Sequence, residues 1–236
     1  MAEDYASIPL HRHPYPHREL LRRYRHYAAQ QGFYASVGTS VLFFLGALVV
    51  NFYAIRIATE KAGNAANDII LSNVPVFEVD GLFIYGTFVV VFLSAVLVLA
   101  HPKRIPFALH ALTLFILIRS GFTVLTHLGP PEVSYTSDFG VTITRSFFGA
   151  DQFFSAHTGM PFLGALVFWR HVWVRYAFIA ASVFFATIVL LGHIHYTIDV
   201  AAAFFITYGI FHIAEWLFPK YRAMFLSDEI HETKEV

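Results

Sequence analysis

Two histidines and an aspartate, His157, His195 and Asp199, sit at the edges of long apolar runs, where polar side chains are costly. The stretch GHIHYTIDV (192–200) joins AFIAASVFFATIVLL upstream to AAAFFITYGIF downstream. His195 and Asp199 are four apart, so a helix starting near His195 puts them on one face within touching distance. A carboxylate bonded to one imidazole nitrogen fixes the tautomer and leaves the other nitrogen able to attack an electrophile. Taken alone, the pair reads equally well as a polar helix cap, with Asp199 in the first turn and Thr197 satisfying backbone groups. His157 lies in DQFFSAHTGMPF (151–162), with Ser155 as a candidate helix cap just before it. A helix start offers unpaired N–H groups and a positive dipole end that suit phosphate, and Thr158 and Gly159 let an anion come close. Arg119 lies inside ALTLFILIRSGFTVLTHL, about nine residues, or roughly 13 Å, from the far end of its span. It is read as a bundle-facing cation awaiting an anion rather than as a structural ion pair or a snorkelling side chain. Two imidazoles, a carboxylate, a buried guanidinium and a helix start are the parts needed for phosphoryl transfer. One histidine attacks phosphorus, the other protonates the leaving oxygen, and the arginine and N–H groups hold the charge.

The elements that must position these groups are membrane helices. The chain has 236 residues, of which 57% are hydrophobic and 14% charged, against about 25% charged in ordinary soluble domains. Mean hydropathy is +0.58. Six runs are candidates for crossing a bilayer, which takes roughly 20 apolar residues: 34–57, 82–100, 105–128, a short and impure 158–173, 176–194 and 197–218. The predicted fold is all-α: a polytopic six-span bundle over 34–218, a basic tail over 1–33 and a second tail over 219–236. The first span is taken as permanent, because a long polar stretch precedes it where a secretory signal would have a short basic start. Lys and Arg favour cytosolic loops. Twelve of the 16 fall on one side of the six-span scheme and three, Arg56, Lys61 and Arg145, on the other, with Arg119 inside a span. Both termini are therefore expected in the cytosol, and the histidine–aspartate layer at the outer or lumenal leaflet. Trp169, Trp173 and Trp216 at the cytosolic ends of their spans fit an interface belt. The zero formal charge gives no case for nucleic acid, and the lack of cysteine excludes disulfides and thiolate metal sites.

SAHTG followed by HYTID resembles the sphingomyelin synthase branch of the lipid phosphate phosphatase (type 2 phosphatidic acid phosphatase) superfamily. NDIILSNVPVFEVDG (67–81), IRSGFTVLTHLGPP (118–131) and GADQFFSAHT (149–158) are similar to that family's segments in order and spacing, so the likeness covers about residues 67–218. The resemblance implies that His195 is the nucleophile, forming a phosphohistidine with a lipid head group. It implies that Asp199 orients His195, and that His157 releases the first alcohol as an acid and then serves the acceptor as a base. It also implies supporting places for Glu78, Asp151 and His193, and for Tyr196 within HYTID. It implies a phospholipid donor, and an acceptor that is ceramide, diacylglycerol or water. No cofactor or metal is required. The chain departs from the family's phosphatase branch in three places. Val189 stands where that branch has an arginine six residues before the attacking histidine, its Lys-x6-Arg-Pro motif is absent, and Ala156 replaces a glycine. Fewer phosphate-gripping cations favour a singly charged diester over a dianionic monoester. A lipid monoester phosphatase and a non-catalytic lipid-binding bundle are the alternatives.

Other polar features have plainer readings. HRHPYPHRELLRRYRHY (11–27) is expected to press on anionic head groups as a short amphipathic helix over about 18–27, its prolines breaking any metal-ligand spacing. His212 and Glu215, three apart, are read as a local hydrogen bond rather than half a metal motif. His127 is expected either to line the site or to rest at the interface.

Overall fold

A computed structural model describes residues 16–29, 32–131 and 153–232. Among them are eight helices: α1 (Pro16–Ala28), α2 (Phe33–Glu60), α3 (Asp80–Leu99), α4 (Arg104–Leu125), α5 (Ala156–Val167), α6 (Val172–Leu191), α7 (Thr197–Leu217) and α8 (Pro219–Glu232). In hydrocarbon each backbone N–H and C=O must be satisfied within its own segment, and an unbroken apolar run achieves that only as a helix. Five helices, α2, α3, α4, α6 and α7, are long and apolar enough to cross a membrane. Hydroxyls within them turn back onto the chain: Ser40, Thr87, Ser94, Ser120 and Thr187 each donate to the carbonyl four residues earlier.

The expected fourth span is the exception. Its helix, α5, has 12 residues, about 18 Å at 1.5 Å per residue, well short of a hydrocarbon core of about 30 Å. A turn at 168–170, leading to Arg170 and His171, ends it earlier than the apolar count suggested. The stretch from 219, read from the sequence as a C-terminal tail, carries helix α8. Its Phe225 side chain is fully buried against Phe107 and Phe168. A helix does form near the N-terminus, α1, and its Tyr24 hydroxyl donates to the Leu99 carbonyl (2.7 Å).

Contacts define two ends of the bundle. At the basic end, Arg23 meets His101 (3.0 Å), Lys103 meets Ser227 (3.2 Å), and Arg222 reaches Glu215 (3.0 Å) and the Val167 carbonyl (3.1 Å). At the opposite end the loops before α3 and after α4 lie against the start of α7. Small residues let helices close up where the hydrophobic effect cannot drive them together. α2 turns Ser36, Ser40, Ala47, Ala54 and Ala58, spaced by four or seven, inward and packs chiefly on α4. Phe107, Phe115, Phe154, Ile210 and Phe211 fill the space between α4, α5 and α7.

Candidate functional site

Site residues gather where α5 and α7 both begin. Tyr196, with extended backbone geometry, follows the turn of residues 192–195, and Thr197 opens α7. His195 and Asp199 therefore lie one turn apart, with His195 Nδ1 3.4 Å from Asp199 Oδ2 and both side chains buried. Asp199 Oδ2 also accepts from the Tyr196 N–H (3.1 Å). The carboxylate thus caps α7 through the Tyr196 N–H and lies beside the imidazole at 3.4 Å without a hydrogen bond to His195 Nδ1. Asp199 Oδ1, fully buried, has no hydrogen bond among the described residues.

α5 starts on Ser155, which has extended backbone geometry, and the Ser155 hydroxyl accepts from the Thr158 N–H at 3.4 Å. The Ser155 N–H donates to the Asp199 carbonyl (3.2 Å), tying the two helix starts together. His157, in the first turn of α5, is close enough to His195 and Arg119 for charge on either to be felt at its ring. Phe83 of α3 lies over that ring at 4.3 Å between centroids. Beside it a cavity of about 60 Å³ opens between α3, α5 and α6, lined by Thr87, Val90, Val91, Met160, Pro161 and Phe185.

Arg119 is buried, and its Nε donates to the Phe154 carbonyl (3.2 Å). Phe154 itself has φ +39°, a left-handed backbone that an aromatic residue rarely adopts and that costs of order 1–3 kcal/mol. Packing of its ring on Phe115 (5.2 Å) holds it there and aims the carbonyl at Arg119. His157, His195, Asp199 and Arg119 thus share one layer at the non-basic end.

The remaining residues singled out in the sequence lie elsewhere. Tyr196 turns away from the layer: its hydroxyl donates to the Gly129 carbonyl (2.9 Å) and accepts from the Ala66 N–H (3.1 Å). His193, at φ +51°, places Nε2 3.1 Å from the Val74 carbonyl and pins the loop before α3. Thr158 is buried, with its hydroxyl on Ser155 (3.3 Å) and its carbonyl accepting from Ser182 (2.7 Å). Gly159 serves packing: a Cβ there would meet Thr207 Oγ1 at 2.8 Å and the Phe115 ring at 2.9 Å. Glu78 is exposed just before α3, and Asp151 lies outside the described residues. His127 is exposed, and its carbonyl accepts from the Gly63 N–H (2.8 Å). His212 bonds Glu215 (3.1 Å), the local pair its spacing predicts. No group of three His, Asp or Glu side chains among the described residues is arranged to hold a metal ion.

Sequence reasoning missed Asp68. Its carboxylate accepts from the Thr197 N–H (2.6 Å) and hydroxyl (2.7 Å) and from the Ile70 (2.9 Å) and Leu71 (3.1 Å) N–H groups. Burial pushes this carboxyl up, but the bonds from Thr197, Leu71 and Ile70 together outweigh it and hold it below the usual carboxylate range. The Asp-x-x-Leu turn was legible locally; its partner 129 residues away was not.

Set against known proteins, the chain matches no family model, no curated protein and no solved structure. What is established is that the described residues are all-helical, with five helices long and apolar enough to cross a membrane, as a multi-pass membrane protein has.

Proposed function

We propose that the protein is a membrane-embedded enzyme that cleaves a phospholipid head group through a phosphohistidine intermediate. In this reading α5 completes a six-span bundle of the phosphatidic-acid-phosphatase type, with both termini cytosolic and the site at the outer or lumenal leaflet. The observation that carries it is the buried His195–Asp199 contact at 3.4 Å in one layer with His157 and Arg119. With Nδ1–H turned to Asp199, His195 presents Nε2 to phosphorus. Nε2 attacks, the bond from phosphorus to the glycerol oxygen breaks, and His157 gives that oxygen a proton, releasing diacylglycerol. His157 then takes a proton from water or a lipid alcohol such as ceramide, whose oxygen attacks phosphorus and frees His195. Arg119 offsets charge on the phosphoryl oxygens.

The test is thin-layer analysis of labelled phospholipids with the purified protein, with and without ceramide or diacylglycerol. Wild type is expected to release diacylglycerol and a head-group phosphate or a new phospholipid, and His195→Ala to release neither. Identical patterns from both would refute the proposal. Free phosphate from phosphatidic acid as the main product would favour the monoesterase instead. A second reading, a non-catalytic lipid-binding bundle, draws on one observation: Asp199 also caps α7 through the Tyr196 N–H.

A further inference from the structure

The first turn of α7 carries Asp199, yet nothing within the helix can satisfy the N–H of Thr197, its first residue. That N–H is taken by Asp68 Oδ2 at 2.6 Å, from a loop 129 residues away, and the Thr197 hydroxyl is taken by Oδ1 at 2.7 Å. Oδ1 also closes the loop's own turn through the Ile70 and Leu71 N–H groups. The two carboxylate oxygens thus tie turn and helix start together. Oδ1 makes the turn that shapes residues 68–71 and holds the Thr197 hydroxyl, and Oδ2 holds the Thr197 N–H. The same loop is stapled a second time two residues upstream, where the Ala66 N–H donates to the Tyr196 hydroxyl.

We propose that Asp68 is the positioning residue of the site: its carboxylate holds the first turn of α7, and through it sets Asp199 against His195. It touches neither imidazole and acts only through Thr197, two residues before Asp199. A negative charge at a helix N-terminus also favours the dipole, so an anion suits this place better than a neutral group. Its catalytic consequence rests on the phosphotransfer reading above; the clamp itself does not.

Asp68→Asn is the informative variant. An amide keeps the volume but has a single acceptor. If its oxygen closes the 68–71 turn, its NH₂ faces the Thr197 N–H, donor against donor. If it flips, the turn opens. Asp68→Asn is therefore expected to behave like Asp68→Ala, whereas a merely space-filling role predicts wild-type behaviour. Thr197→Val removes only the hydroxyl bond and should have a smaller effect, which Thr197→Ser restores. Asn67→Ala, at an exposed neighbour, should change nothing.

The full chain in lipid nanodiscs is measured two ways. Hydrogen exchange at the Thr197 to Val200 amides should quicken roughly tenfold or more in Asp68→Ala and Asp68→Asn, with the α7 interior around Ile210 unchanged. Turnover of labelled phospholipid should fall by a similar factor in kcat at unchanged KM, since the reacting groups are misplaced while lipid contacts persist. Unchanged exchange in both variants overturns the proposal, and so does lost protection with kcat intact. Should wild type turn over no phospholipid, the phosphotransfer reading falls, and the exchange measurement alone decides for or against the clamp.

Discussion

Gly159→Ala tests how tightly α5 is seated. In an open helix the change would stabilise by up to about 1 kcal/mol, because alanine loses less backbone freedom than glycine. Here the new methyl would sit 2.8 Å from Thr207 Oγ1 and 2.9 Å from two atoms of the Phe115 ring, each roughly 0.5–1 Å inside ordinary contact. Thr207 and Phe115 are fully buried, so neither can swing into solvent. Overpacking of this kind costs typically 1–3 kcal/mol. The net expectation is a loss of about 1–2 kcal/mol, or roughly 2–8 °C in Tm for a chain of this size. Because α5 carries His157 two residues earlier, turnover should fall with stability. Thermal unfolding in detergent, read by intrinsic fluorescence, measures the first effect, and phospholipid turnover the second. Thr207→Ala removes one of the two obstacles and should recover part of the loss in the double variant. A Tm equal to or above wild type for Gly159→Ala would refute the packing argument, and with it the account of why glycine stands there.

Asp199→Asn should lower phospholipid turnover by about 10²–10⁴-fold, with the α7 cap partly kept because an amide oxygen still accepts from the Tyr196 N–H; steady-state kinetics beside a thermal melt separates the two. Gly192→Ala should drop Tm by several degrees, since a Cβ there would overlap Val79 Cγ2 and push the segment of residues 77–79 off the turn. Asp68 has its folded pKa held down. Its contribution to stability is therefore complete above the usual carboxylate range and lost only as pH falls through the depressed value. Protection of the Thr197 amide should survive at pH 5 and fail in stronger acid, and Asp68→Asn should lack that step. Tyr196→Phe removes the bonds to Gly129 and Ala66 and is expected to cost about 1–3 kcal/mol; a melt unchanged from wild type would show that the outer loops are held by other contacts.

Much of the helical frame was legible in the chain itself. Runs of some 20 apolar residues gave α2, α3, α4, α6 and α7 to within a few residues, because lipid leaves the backbone no other way to satisfy itself. The His195–Asp199 contact and the Ser155 cap were legible for a related reason: both lie within one turn, where sequence spacing is spatial spacing. The length of α5 was misjudged, since apolar content does not report where the turn at 168–170 breaks a helix. Arg119 reaching the Phe154 carbonyl, Gly159 seated on Thr207, Tyr196 turned outward to Gly129 and Asp68 clamping Thr197 were decided only by the tertiary fold. Each joins groups between 35 and 129 residues apart, and no local periodicity records which helix ends will meet. Sequence by itself determined that these polar groups would lie at helix starts in an apolar chain; the packing of α5 and α7 decided which of them face one another.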